Sequence, residues 1–291
     1  MSEPAHGWPS QIARAFEDAC QDELDAPKPG NVHVFANGHR LAVKDFERSA
    51  AAAAGPLSAS GQRVGVRILG AVEATAAAVE TNTNLGIILL CAPLAAAAET
   101  KPSDLRYSLA QTLGSLDRDD ADGAFQAIVR ASPAGLGRTD RHDVFAPATA
   151  SLREAMAEAA DRDRVAQQYV TDFADVFERG EPLLVATLAR SADRRLATLV
   201  TYLDFLAAFP DSHIVRKHGP VVAGQTRERA GPLAALVREA IRLEDVLAAV
   251  LDWDAELKKA NVNPGTSADL TVATLFAHRL RSILPRARNG D

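Results

Sequence analysis

Apolar residues recur three and four positions apart over most of this chain, the period of helices that bury one face. Ile12, Ala13, Phe16, Ala19, Cys20, Glu23 and Leu24 form such a stripe over about residues 9–25, and Pro27-Lys28-Pro29-Gly30 ends it. Residues 27–43 read as an irregular loop. A helix then starts near Lys44 and runs through the alanine tract 50–54 to Gly55-Pro56, and Val64, Ile68, Val72, Thr75 and Val79 mark another. Segments near 103–114 and 119–131 read as helical, and Ser132-Pro133-Ala134-Gly135-Leu136-Gly137 opens a loop reaching Pro147. Over 161–178, Val165, Tyr169, Val170, Phe173, Val176 and Phe177 make one helical face, with Gln168, Asp172 and Asp175 together on another. Further stripes run from Leu196 to Leu206, closed by Pro210, and from Leu243 to Leu257, closed by Asn261–Gly265. A last helix is expected over about 267–283. Alternation that would suit a strand is confined to Asn31–Phe35 and Val221-Val222. The pattern predicts an all-α fold, a single compact multi-helix domain spanning 1–291.

One segment breaks the rule of one buried face. From Leu85 to Ala98 the chain has no polar side, so this helix belongs inside, surrounded by the others. Asn82-Thr83-Asn84 stands before it, with Asn84 placed to cap. A buried helix whose N-terminus points at polar groups is either an anion site or simply a capped core helix.

Composition narrows the classes. At 291 residues with 47% hydrophobic content the chain can bury a sizeable core. Its 32 Lys and Arg against 38 Asp and Glu leave a net charge of −6, so it offers no general attraction for nucleic acid or an anionic membrane. Phosphate binding must therefore be local. The N-terminus has no secretory pattern, the run 85–98 is too short to span a bilayer, and Cys20 and Cys91 form neither a metal knuckle nor a disulfide framework. A cytoplasmic location is expected, and the alanine-faced helices leave a homodimer open.

No P-loop, dinucleotide fingerprint, zinc-binding helix or nucleophile elbow is present. Four loops carry the candidate chemistry instead. In Lys28-Pro29-Gly30-Asn31-Val32-His33 the breakers fix a tight path, which is either a structural turn or a place where amides, Asn31 and the Lys28 ammonium meet an anion. Pro210–Gly219 gathers Asp211, His213, Arg216, Lys217 and His218, suited to a polyphosphate with a metal nearby, or else is an exposed basic loop. Asn261–Leu270 sets Thr266, Ser267 and Asp269 at a helix start, as a ligand site or as an N-cap with a dipole-matched acid. Asp140-Arg141-His142-Asp143 offers paired carboxylates for magnesium or for a base, and His33 and His39 could polarise a hydroxyl.

In order along the chain stand Lys28-Pro29-Gly30, Ser49-Ala50 after Phe46, Asn82-Thr83-Asn84-x-Gly86, Gly135-Leu136-Gly137 with Asp143-Val144, and Pro264-Gly265-Thr266-Ser267-Ala268-Asp269-Leu270. This ordered set resembles the triphosphoribosyl-dephospho-CoA synthase family, the ATP:dephospho-CoA triphosphoribosyltransferases. The resemblance implies an all-α transferase that uses ATP, dephospho-CoA and magnesium and releases adenine when the acceptor's 2′-hydroxyl attacks C1′ of the ATP ribose. It implies roles for Lys28, Arg216 and Lys217 on phosphates, for Asp143 and Asp269 as metal ligands or base, and for Asn82, Thr83 and Asn84 around a ribose or phosphate.

Two departures bear on the substrate. The family's Gly-Leu-Val-Asp becomes Gly30-Asn31-Val32-His33, and its Asn-Thr-His-Lys-Gly becomes Asn82-Thr83-Asn84-Leu85-Gly86, which removes a histidine and a cation. This form resembles a branch of archaea and of bacteria with methanopterin-type one-carbon cofactors. It makes a pterin or furan cofactor precursor the rival acceptor, and a non-catalytic helical binding protein the alternative of another class.

Overall fold

The computed structural model describes residues 7–36, 43–79, 83–132 and 142–285. Among these residues the chain forms fourteen α-helices and no strand, only an isolated bridge between His33 and Ala36. The domain is all-α, as the hydrophobic period predicts. No helix among the described residues is long and apolar enough to cross a membrane.

Helix α1 (Trp8–Leu24) starts with Pro9, where a missing N–H is harmless, and buries Ile12, Phe16, Ala19 and Leu24. Next come α2 (Val43–Ser58), which continues through Pro56 instead of stopping there, α3 (Val64–Ala78) and α4 (Leu85–Glu99). Asp104 caps α5 (Leu105–Gly114), and Asp117 and Asp120 form a reciprocal capping box on α6 (Arg118–Ala131). A second box, Ser151 with Glu154, starts α7 (Leu152–Ala159), and Asp163 caps α8 (Arg164–Val170). Then follow α9 (Glu181–Ser191), α10 (Arg194–Ala208), α11 (Ser212–His218), α12 (Pro220–Glu239), α13 (Leu247–Lys259) and α14 (Gly265–Ile283).

Helix α4 lies at the centre of the larger apolar core. Ile88, Leu90, Cys91, Leu94 and Ala98 have no exposure. Each fully buried Leu or Ile there is worth about 1.5–3 kcal/mol before chain entropy is set against it. Pro93 sits inside this helix and cannot donate to the carbonyl of Leu89, four residues back. The hydroxyl of Tyr169 donates to that carbonyl at 2.6 Å, so the proline leaves no orphan. At the far end the Trp8 indole donates to the Ala98 carbonyl. A second core packs α10 against α12 and α13 through Leu199, Tyr202, Leu203, Val237 and Trp253. Helix α14 lies between the two, giving Phe276 and Leu280 to the first and Ala268 to the second.

The single helix expected over 161–178 is not there. It breaks after α8, where Asp172 and Phe173 both take positive φ (50° and 58°), and resumes as a π-helical segment, Asp175–Gly180. Positive φ at non-glycine residues costs on the order of 1 kcal/mol or more each, so the surroundings must enforce it. Arg164 grips Asp175 with two bonds of 2.7 and 2.8 Å, Gln168 donates to the same carboxylate, and Arg153 holds Asp172 at 2.9 Å. Phe173 is thereby turned fully into the core. The expected loop 210–219 is likewise corrected: Asp211 accepts from the amides of His213 and Ile214 and starts helix α11.

Candidate functional site

The N-termini of α4 and α14 lie side by side and open into a cleft of about 1780 Å³, walled also by α3, α6, α7, α8 and α11. Ordinary small-molecule sites enclose roughly 300–1,000 Å³, so this cleft is larger than most. Both helix N-termini bring partial positive charge to its floor.

The floor depends on two glycines. A Cβ on Gly86 would overlap the carboxylate of Asp269, so the first turn of α4 accepts that carboxylate only because residue 86 has no side chain. In the same way Gly265 leaves room for the His213 ring. Burial first, and then the negative charges of Asp211, Glu23 and Asp163, push the Asp269 carboxyl well above the usual carboxylate range, with Arg216 pulling the other way. Asp269 thus sets a buried carboxyl with a raised pKa at a helix N-terminus.

Asp211 joins the starts of α11 and α14. Fully buried, it accepts from His213 and Ile214 on one oxygen and from the amide and hydroxyl of Ser267, both at 2.8 Å, on the other. This brace sets His213, Arg216 and Lys217 on the cleft wall. Arg216 also lies 3.6 Å from the Asp163 carboxylate. Ser267 itself faces Asp211, which corrects its expected role on a ligand.

The Lys28 loop supports the site without its cation reaching it. Lys28 is fully buried, its ammonium donating to the carbonyls of Glu23 and Val32 at 2.6 and 2.8 Å and lying 3.2 Å from the Glu23 carboxylate. Burial lowers the lysine and raises the acid. The expectation that Lys28 holds a phosphate is therefore corrected: all its donors face inward. Gly30, at φ 80°, presses against the carbonyl of Val262, where a Cβ would come within 2.7 Å, and Asn31 bonds Asn263 at 3.0 Å on the cleft rim. His33, expected to polarise a hydroxyl, is buried away from the cleft. Its Nε2 lies 3.3 Å from both Asp254 and Lys258, and burial depresses its pKa while Asp254 opposes that shift.

Thr83 and Asn84 are on the cleft. Thr83 donates to the Ser49 hydroxyl at 2.6 Å, which donates to the Asp45 carbonyl. Asn84 stands at the cap position of α4, but its side chain makes no capping bond; its Nδ2 reaches Thr75 and Ser49 instead. Asp143 is also on the cleft and accepts from the Phe145 amide at 2.9 Å. His39, Asn82, Gly135-Leu136-Gly137, Asp140 and Arg141 lie outside the described residues. The structure adds Glu23, Arg48, His142, Asp163 and Asn263 to the cleft. Glu23 was legible as an acid within the apolar stripe of α1, and His142 and Asn263 only as members of candidate loops; Arg48, within α2, and Asp163 carry no sequence signal.

Among the described residues no group of three or more His, Cys, Asp or Glu could hold a metal alone. Magnesium commonly keeps waters and binds one or two carboxylates together with substrate phosphates, and a cleft with separate carboxylates suits that mode.

Fold and cleft together define an all-α protein with a large mixed-charge cleft at paired helix N-termini. The chain belongs to the ATP:dephospho-CoA triphosphoribosyl transferase family, whose model matches residues 9–287, and it is a transferase. This removes the non-catalytic alternative. The fold is similar to the crystal structure of an Archaeoglobus fulgidus protein provisionally named triphosphoribosyl-dephospho-CoA synthase. The two are 23% identical with a TM-score of 0.63, over 81% of this chain and 99% of that one. Among curated proteins none matches significantly.

Proposed function

We propose that the cleft transfers the triphosphoribosyl group of ATP to a hydroxyl acceptor, dephospho-CoA in the first instance, with release of adenine. The observation that carries this reading is Asp269, a carboxyl pressed against the first turn of α4 on the cleft that Arg216 and Lys217 of α11 also line. Arg216 and Lys217 would receive the triphosphate. The acceptor oxygen attacks C1′ of the ATP ribose while the bond to adenine breaks. Asp269 gives the departing base a proton, and a cleft carboxylate takes the proton of the hydroxyl. Magnesium would be held by Asp143 with phosphate oxygens and supplies charge neutralisation. These substrates fit a cytoplasmic enzyme.

Mixing the protein with Mg-ATP and dephospho-CoA should release adenine, detected by chromatography. No adenine above an enzyme-free blank overturns the reading.

One observation favours a different acceptor in the same reaction. Leu85 puts an apolar side chain on the cleft where the family pattern has a lysine. A pterin or furan precursor of a one-carbon cofactor is the second reading, and supplying such compounds in place of dephospho-CoA tests it by the same release of adenine.

A further inference from the structure

Asn84 is only 4% exposed and precedes the fifteen-residue helix α4 at the cleft. Its Nδ2 is committed on two sides, 3.2 Å from the Thr75 hydroxyl and 3.4 Å from the Ser49 carbonyl. A backbone carbonyl can only accept, so turning the amide over would set Oδ1 against the Ser49 carbonyl, which favours this orientation. Ser49 is itself held by Thr83 and by the Asp45 carbonyl. That leaves the Asn84 Oδ1 buried with no partner.

A buried acceptor left unsatisfied is costly, and native structures rarely keep one without a reason. On the cleft the same condition is met by Nδ1 of His142, whereas His33, Thr198 and Trp253, which also carry partnerless atoms, are not cleft residues. The group that satisfies Oδ1 must bring a hydrogen. An ionised phosphate brings acceptor oxygens only, so the triphosphate does not fit there.

We propose that the side-chain carbonyl of Asn84 accepts a hydrogen bond from a neutral donor on the substrate, a ribose hydroxyl or an exocyclic amine, and so sets the cleft's specificity. The inference rests on the nucleotide-transfer reading and assigns one part of it. Asn84 reads the sugar or base, while the cations of α11 are left to the phosphates.

The test is calorimetric binding of ATP, 2′-deoxy-ATP, 3′-deoxy-ATP, inosine triphosphate and dephospho-CoA to the full chain and to Asn84→Leu. Thermal melting of both proteins is the control for disturbed packing. The wild-type protein should bind one of the three ATP analogues about tenfold more weakly than ATP. Asn84→Leu should bind that analogue and ATP within about twofold of each other, with cooperative melting retained. Should Asn84→Leu fail to melt cooperatively, Asn84→Ser takes its place. Equal wild-type affinity for all four triphosphates overturns the inference, as does discrimination that survives in the Asn84 variant. Both results leave the transfer reading standing, because ATP still binds. Absence of binding by ATP and dephospho-CoA overturns both.

Discussion

The carboxylate of Asp269 occupies the space that a Cβ on Gly86 would fill, which locks the first turns of α14 and α4 together at the floor of the cleft. Gly86→Ala therefore separates local preference from tertiary fit. Alanine is favoured over glycine inside a helix by about 1 kcal/mol, so by propensity the variant would be the more stable protein. The overlap reverses that sign. We expect a loss of about 1–3 kcal/mol in chemical denaturation and at least a 100-fold fall in adenine release. A stabilised, active variant would show that Asp269 is not held against α4.

Asp269 should cost the fold stability that its chemistry requires. Its carboxyl is raised well above its ordinary value of 3.8. As pH climbs past that ordinary value, the unfolded chain gives up its proton before the folded one, and stability is lost up to the folded pKa. Asp269→Asn removes this loss. The variant should be inactive and, near pH 7, more stable than the wild type by on the order of 1 kcal/mol, with the gap closing below about pH 4. Denaturation at the two pH values checks both halves.

Lys28 and Lys217 should behave oppositely. Lys28→Met leaves the buried Glu23 carboxylate alone and should destabilise the protein by about 3–5 kcal/mol, with the folded fraction binding ATP normally. Lys217→Ala should leave the melting temperature within a few degrees and weaken ATP binding, most strongly at low salt. Calorimetry and thermal melts on the two variants decide which lysine meets the ligand.

His33 predicts acid sensitivity. It faces Asp254 and Lys258 and feels the charge of Lys28, and its pKa is lowered from 6.5 chiefly by burial. Its contribution is complete above pH 6.5 and is lost as pH falls toward the folded pKa, because the unfolded chain takes up the proton first. Stability should fall by on the order of 1 kcal/mol between pH 7 and pH 5.5, and His33→Asn should flatten that part of the profile.

Much of the architecture was legible from hydrophobic period, above all α4, whose lack of a polar face marks it as central. What periodicity could not carry was any feature decided by a distant partner. The stripe 165–177 stays buried as predicted except at half-buried Val170, yet the helix breaks because Arg153 and Arg164 hold Asp172 and Asp175. At the site, the sequence singles out Asn84, Asp143, His213, Arg216, Lys217 and Asp269, all of which line the cleft. It also named Lys28, His33 and Ser267, whose polar atoms turn inward. A cation in a Pro-Gly loop looks the same in sequence whether it meets a phosphate or the carbonyls of its own chain. Only the depth of the loop separates the two.

Weighing the acceptor by mass spectrometry tests the account most directly. After incubation with Mg-ATP, dephospho-CoA should gain the mass of one triphosphoribosyl group, in step with the adenine released. Adenine-free turnover of ATP to ADP or AMP, with the mass of every supplied acceptor unchanged, would contradict it.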